Sequence, residues 1–281
     1  MKKTLMSLAM TATLGLASMT ASADVMLDWK INEAVVDAPL AAACAAAPAG
    51  ACLHTVDNLT GKYNELLGFD GSGGFSASAV GFFGGYSSTE GSVPVGTSLV
   101  FGIPGLPSPT SYRLYAKFVA SGSIIGGAAV SNNGTLELYL DRGADTVFAS
   151  TGTGGFADPT ALATATGTTA SDDELIGFSN VGYGSSSVNF GAAGASFNIF
   201  FEQFQLTAFG STYWYDPAPF HVKVWSNGDL DTPFNPLTAG TAAVVGDMSA
   251  VFIVPEPASL ALVGLALAGL GLTQRRRKQV K

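Results

Sequence analysis

The chain has 281 residues, of which 47% are hydrophobic and only 12% charged, and its formal net charge is −8. This balance excludes wholesale disorder, and a pI near 4.6 argues against nucleic acid as a partner, because neutralising phosphates needs a basic surface. Two cysteines and two histidines leave little material for a metal site or a histidine-based active site.

The first 23 residues have the three regions of a secretory signal peptide. Two lysines open the segment, residues 5–19 are apolar and uncharged, and Ala21 and Ala23 frame a small-x-small cleavage pattern. We therefore expect signal peptidase to release a chain that begins at Asp24. The alternative is a buried N-terminal helix.

Cys44 and Cys52 lie in an alanine-rich segment of a chain that is expected to be exported. Two nearby cysteines outside the cytoplasm most often form a disulfide, and closing so small a loop stabilises a fold by about 2–3 kcal/mol. A redox-active pair is the alternative, but the spacing is not Cys-x-x-Cys. We therefore predict a structural disulfide.

Residues 24–253 show short apolar-alternating runs separated by turn residues, which is typical of an all-β domain. We predict an antiparallel β-sandwich, jelly-roll-like, with a barrel as the alternative. The period of two directs Leu136, Leu138 and Leu140 into the core together. The predicted strands are 75–82, 112–120, 135–141, 196–208, 221–225 and 247–254.

Two Asn-Gly pairs, at 133–134 and 227–228, supply the positive-φ residues that tight hairpins need. Sustained helical periodicity is confined to the N-terminal signal segment and to an apolar segment near the C-terminus. We therefore predict two hairpin turns and no helix between the chain ends.

Residues typical of catalysis are sparse. Gly-x-Ser-x-Gly does not occur, and His54 and His221 are too far apart in sequence for a zinc-ligand spacing. Glu65, Glu137 and Glu202 lie on predicted strands, where a carboxylate pair would suit glycoside hydrolysis. Solvated carboxylates are the alternative, and we do not expect an enzyme.

Calcium is the one cofactor that the sequence suggests. Asp141 and Asp145 place two carboxylates on a predicted turn, and acidic residues also cluster at 171–174 and 227–231. Oxygen ligands in loops suit this hard cation, but none of these segments matches an EF-hand. The alternative is solvated turns whose aspartates cap backbone amides.

Tyr213, Trp214 and Tyr215 form a dense aromatic cluster. Flat rings with polar edges suit contact with a sugar face or a partner protein. Neighbouring strand residues face opposite sides, so at least one of the three is expected in the core. The cluster is our candidate for sugar contact.

The C-terminal tail carries three features in order: a proline-flanked glutamate, sixteen uncharged residues at 258–273, and a basic cluster. A sixteen-residue helix spans about 24 Å, slightly less than the hydrocarbon core, and the basic residues would hold its end in the cytoplasm. The alternative is a permanent transmembrane anchor. Such an anchor would explain the apolar run and the basic cluster, but not the proline-flanked glutamate. The residues concerned are Val254, Pro255, Glu256, Pro257, Arg275, Arg276 and Arg277.

This arrangement resembles the PEP-CTERM sorting signal, which would comprise residues 254–281. The resemblance implies that an exosortase recognises the Pro-Glu-Pro region, removes the helix from the inner membrane, and releases or attaches the product. It also implies a Gram-negative bacterium that makes exopolysaccharide.

The middle of the chain resembles the flocculation-associated PEP-CTERM proteins, the PepA-like group. That resemblance implies a structural or adhesive role in an extracellular matrix, holding cells and exopolysaccharide together in flocs or biofilms. It assigns no catalytic residue to this chain. A calcium-assisted carbohydrate-binding module is the alternative. The resembling stretches are 58–65, 112–116, 134–141, 200–207, 219–220 and 246–254.

Charge is distributed unevenly along the chain. Seven of the 13 basic residues lie in the two terminal segments, whereas all 21 acidic residues lie between Asp24 and Glu256. Residues 24–257 therefore hold six basic and 21 acidic side chains, a formal charge of −15. Such a surface repels anionic polymers unless divalent cations bridge them, which predicts calcium bridging to an acidic exopolysaccharide.

Overall fold

The structure is a computed structural model. It describes residues 25–26, 28–88, 93–99, 112–125, 128–146, 172–183, 185–186, 189–191, 194–202, 204–216, 222–230 and 238–254. The chain divides into a main unit, Met26–Phe252, and a second unit made of the terminal segments. The predicted signal peptide and the tail after Val254 lie outside the described residues.

Strands dominate the described chain, and helices are few and short. The strands are β1 Val25–Met26, β2 Trp29–Asn32, β3 Leu53–Val56, β4 Asn58–Phe69, β5 Gly74–Ser88, β6 Val93–Val95, β7 Tyr112–Ile125, β8 Ala128–Arg142, β9 Glu174–Ser179, β10 Val181–Tyr183, β11 Ser185–Ser186, β12 Asn189–Gly191, β13 Gly194–Glu202, β14 Gln205–Leu206, β15 Trp214–Asp216, β16 Val222–Leu230 and β17 Gly240–Val254. The helices are a 3-10 turn at Glu33–Val35, α1 Ala38–Ala46 and α2 Gly210–Tyr213. The prediction of a mostly β, antiparallel protein is confirmed.

The strands form a large sheet and a small one. The order in the large sheet is β10-β13-β16-β17-β4-β5-β7-β8-β9-β14, and β15-β2-β3 form the small sheet. Two short strands that are close in sequence pair with distant parts of the large sheet, because β10 pairs with β13 while β11 pairs with β8.

The central strands β4, β5, β7 and β8 pair over long registers, and one of their faces carries a row of buried apolar side chains. Leu136, Leu138 and Leu140 lie on this face and are buried, as their alternation predicts. Phe118 and Ala79, on the strands alongside, are buried with them. We call this side of the four strands the inner face.

The two hairpin predictions are wrong. Residues 133–134 lie inside β8 and pair with β7, and residues 227–228 lie inside β16, paired with both β13 and β17. Long ladders satisfy the backbone on both sides of β16, which outweighs a short-range turn preference. The turn between β4 and β5 instead uses Asp70, whose Oδ1 accepts hydrogen bonds from Ser72 N and Gly74 N.

Helix α1 corrects the expectation of no helix between the chain ends. Asp37 caps it, since Oδ1 accepts a hydrogen bond from Leu40 N at 2.6 Å. Alanine has the highest helix propensity, but a run of alanines has no apolar periodicity to reveal the helix. The structure joins Cys44, on this helix, to Cys52 by a disulfide with a Cα–Cα distance of 5.7 Å.

None of the helices in the described part of the chain is long and apolar enough to cross a membrane. The apolar run at 258–273, predicted to be a transmembrane helix, lies outside that part.

Candidate functional site

The aromatic cluster predicted for sugar contact is mostly interior. Tyr213 and Trp214 are 0% and 1% exposed, because α2 and β15 pack the small sheet against the large one. The Tyr213 hydroxyl lies 3.0 Å from that of Tyr86 and 2.7 Å from that of Tyr112. This corrects the sugar-contact prediction for Tyr213 and Trp214, and leaves it for Tyr215, which is 39% exposed.

These hydroxyls form a network that spans both sheets. Trp214 Nε1 donates to the Tyr86 hydroxyl at 3.0 Å, and Trp29 meets the rings of Tyr86 and Trp214 edge-on. Burial raises the pKa of Tyr86, Tyr112 and Tyr213. The hydroxyls therefore stay protonated and act as structural hydrogen-bond donors and acceptors.

His54 belongs to a neighbouring buried contact. Its Nε2 lies 3.0 Å from Glu33 Oε2, while Glu33 Oε1 accepts a hydrogen bond from Ser98 N at 2.7 Å. The carboxylate thus joins the 3-10 turn, β3 and the segment after β6. His221 lies outside the described residues.

Asp141, predicted as a calcium ligand, is fully buried in an ion pair. Its Oδ2 accepts hydrogen bonds from Arg113 Nη2 at 2.6 Å and from Thr146 N at 3.1 Å. Its Oδ1 accepts one from Asp145 N at 3.2 Å. Burial raises the pKa of Asp141, and the guanidinium opposes that shift. Both of its oxygens already have protein donors.

Asp145 and Asp172 are less well satisfied. An Oδ1 atom of each is buried without a hydrogen-bond partner in the described structure. Burial first, and then the charge of Asp145, raises the pKa of Asp172. Asp173, beside them, accepts hydrogen bonds from Thr146 Oγ1 and from the Tyr115 hydroxyl. Across the described ranges no group of three or more acidic, histidine or cysteine side chains is placed to hold a metal.

The three glutamates considered for glycoside hydrolysis do not meet. Glu65 pairs with Ala79 and lies on the inner face, while Glu137 pairs with Lys117 on the opposite face. Glu65 is 2% exposed, and burial raises its pKa to about 8. The Glu202 side chain lies outside the described part.

The other side of the same four strands, here called the outer face, is the best-defined candidate surface. Directly paired strand residues share a face, so the register places Ser78, Val119 and Thr135 side by side. A cavity of about 370 Å³ lies over them, and Val119 is 47% exposed. Ser76, Ser121 and Asn133 form the next row of the same cavity.

Two aromatic rings lie on the outer face four residues along β7 and β8 from this cavity, and Tyr115 is buried there. Tyr115 stacks on Tyr139 with ring centroids 5.1 Å apart, and the Lys117 ammonium lies 4.8 Å from the Tyr139 centroid. The Tyr139 hydroxyl donates to Glu137 Oε2 at 2.9 Å. The outer face therefore combines hydroxyls, an amide, a ring stack and a positioned cation.

A family model for protein sorting matches the end of the chain. Residues 254–277 carry the PEP-CTERM protein-sorting motif. The motif implies an exosortase-targeted, secreted protein and export to the cell envelope or surface. No curated protein and no solved structure matches the chain.

The PEP-CTERM prediction is thus confirmed over the motif itself. The match includes Val254 and the Pro-Glu-Pro residues at one end and Arg275, Arg276 and Arg277 at the other. It does not extend to the middle of the chain, so the resemblance to flocculation-associated PEP-CTERM proteins stays a prediction.

Sequence reasoning missed the outer face. Its residues come from four strands, and only the strand register brings them together. The sequence did carry one signal for this face. Thr135 and Glu137 alternate with the buried Leu136 and Leu138, so they lie on the opposite face of the strand.

Proposed function

We propose that this PEP-CTERM protein is an exosortase-processed structural or adhesive component of an extracellular polysaccharide matrix, which promotes floc or biofilm formation. The observation that carries the proposal is the sorting motif at 254–277, which directs a β-rich unit out of the cell. Export to the cell envelope or surface suits a binding or scaffolding role in such a matrix.

Processing at both ends would leave a strongly acidic product. Signal peptidase would cut after Ala23, and the C-terminal helix would hold the chain in the inner membrane until exosortase acts near Pro257. Residues 24–257 carry a formal charge of −15.

We further infer that the large sheet folds over into a sandwich, jelly-roll-like in form. Strands β10 and β11 support this, because they pair with β13 and with β8 respectively, which are far apart in the strand order. A flat sheet would keep those two strands many strand widths apart, at about 4.8 Å each.

A secreted glycoside hydrolase is the weakest alternative. Both hydrolytic mechanisms need two carboxyl groups across one substrate, and Glu65 and Glu137 face opposite sides of the sheet. A non-enzymatic role is therefore the proposal.

A calcium-assisted carbohydrate-binding module is the second candidate. The unsatisfied Oδ1 atoms of Asp145 and Asp172, close enough for one charge to raise the other's pKa, favour it. Binding of Ca²⁺ to the folded state would raise the melting temperature of the purified protein. An unchanged melting temperature in calcium and in chelator would eliminate a resident site.

The sorting proposal is tested by the C-terminus of the protein isolated from its own host. We expect mass spectrometry to find no peptide from 258–273 in the wild type. A triple variant, Pro255→Ala, Glu256→Ala and Pro257→Ala, should retain that segment and stay in the membrane fraction. Pro94→Ala, at an exposed proline of β6, is the matched control and should be processed normally.

The adhesive role is tested by deleting the gene and measuring cell aggregation. We expect aggregation to fall, and to be restored by the wild type and by Pro94→Ala but not by the triple variant. Unchanged aggregation in the deletion strain would refute the adhesive role. Normal flocs with an altered polysaccharide chain length would point to the hydrolase instead.

A further inference from the structure

The basic side chains of the main unit differ in whether they form an ion pair. Three of them are held in ion pairs: Lys30 with Asp216 at 2.6 Å, Arg113 with Asp141 at 2.6 Å, and Arg142 with Glu174 at 3.2 Å. The other two whose side chains are described, Lys62 and Lys117, make no ion pair with another described residue.

Both of those lysines lie on the outer face. Lys62 pairs across β4 and β5 with Phe82, which pairs with Tyr115, and Lys117 lies two residues along β7. Two strand spacings and two residues of rise put their Cα atoms about 12 Å apart. Lys62 is exposed, and the tyrosine rings hold the Lys117 ammonium in place.

Three carboxylates share this surface, apart from the buried Asp141, which Arg113 neutralises. Glu137 is opposite Lys117 and accepts a hydrogen bond from the Tyr139 hydroxyl, Asp247 is opposite Lys62, and Asp173 accepts a hydrogen bond from the Tyr115 hydroxyl. The two lysines offset most of this negative charge within a chain segment of −15. An acidic polymer meets less repulsion here than over a surface of average charge.

The remaining groups of the outer face suit a chain of sugars. Hydroxyls of Ser76, Ser78 and Thr135 both donate and accept hydrogen bonds, as sugar hydroxyls do. The cavity of about 370 Å³ adjoins a second one of about 590 Å³ at the β4–β5 turn, and Ser76 lines both. A polymer strand can therefore lie along the sheet from the lysines toward this turn.

We propose that the outer face binds a segment of an acidic polysaccharide. Lys62 and Lys117 contact its carboxylates, and the serine and threonine hydroxyls contact its sugar hydroxyls. This assignment rests on the proposed matrix function and names the polymer class and the surface for it.

The test is binding of the protein, produced and processed in its own host, to polygalacturonate in the presence of a chelator. We expect the double variant Lys62→Gln and Lys117→Gln to weaken binding about fivefold or more, since two charge contacts are lost. Lys30→Gln is the control, because Lys30 is already paired with Asp216, and its affinity should stay within about twofold of the wild type.

A steric variant provides a second, charge-neutral test. Ser78→Trp fills the cavity and should weaken binding as much as the lysine variant, whereas Ser211→Trp, at an exposed residue of α2, should not. Thermal melts establish that each variant is folded. Equal affinity for all variants, or equal affinity for neutral dextran and polygalacturonate, would overturn the assignment. Retention of 258–273 is a separate result that bears on sorting alone.

Discussion

Glu65 is a buried carboxyl group whose pKa lies far above that of a free glutamate. Both of its carboxylate oxygens are buried without a hydrogen-bond partner in the described structure, and burial raises its pKa to about 8. A buried carboxylate without a partner costs free energy when charged, so the folded protein holds this group protonated at neutral pH. The free energy of unfolding should therefore depend on pH through this residue in the middle of β4.

The sign of that dependence follows from the raised pKa. Its stabilising contribution is fully present below the unfolded value of 4.5 and is lost as the pH rises through about 8. Between those limits the free energy of unfolding should fall by about 1.4 kcal/mol per pH unit from this group.

We predict that Glu65→Gln removes this slope, because glutamine does not titrate. The measurement is urea unfolding from pH 5 to pH 9, in which the variant gains stability over the wild type as the pH rises. Glu137→Gln, on the outer face, is the matched control and should keep the wild-type slope. The same slope in Glu65→Gln and the wild type would contradict the assignment.

At the scale of elements, the alternation of apolar residues predicted correctly which side chains are buried. The Asn-Gly pairs did not predict correctly where the chain turns. Leu136, Leu138 and Leu140 are buried as predicted, because a period of two leaves one assignment of faces. The Asn-Gly pairs failed because strand neighbours distant in sequence determine whether a segment turns. The outer face was unpredictable for the same reason: register joins Ser78 to Thr135, 57 positions later.

The contact between the two sheets depends on hydroxyls as well as on rings. Tyr213 on α2 lies within hydrogen-bond distance of Tyr86 on β5 and of Tyr112 on β7. Removing this hydroxyl would leave Tyr112 and Tyr86 each with one partner fewer in a buried environment.

We predict that Tyr213→Phe lowers the free energy of unfolding by about 1–3 kcal/mol, the cost of unsatisfied buried hydroxyls. Tyr215→Phe makes the same chemical change at a residue that is 39% exposed and should cost less than about 0.5 kcal/mol. Chemical denaturation of both variants measures the difference. Equal costs would show that the network does not join the sheets.

For the whole molecule, charge is the property that governs association. The two terminal segments hold seven of the 13 basic residues, so the proposed processing at both ends would turn a formal charge of −8 into −15 over 24–257. A small domain of that charge repels an acidic polymer over about 10 Å at 0.1 M salt. The outer face is one local exception, which is too small to hold a matrix together alone.

We therefore predict that calcium, rather than ionic strength, drives assembly of the processed protein with an acidic polysaccharide. Carboxylates on the protein and the polymer are the hard oxygen ligands that this cation takes, so it can bridge them without a resident site. Light scattering of the protein with polygalacturonate should show large particles in millimolar calcium, and small ones in sodium chloride of equal ionic strength. Chelator should dissolve the particles, leaving only the weaker binding through Lys62 and Lys117. Particles of equal size in both salts would show that screening alone suffices and would refute bridging.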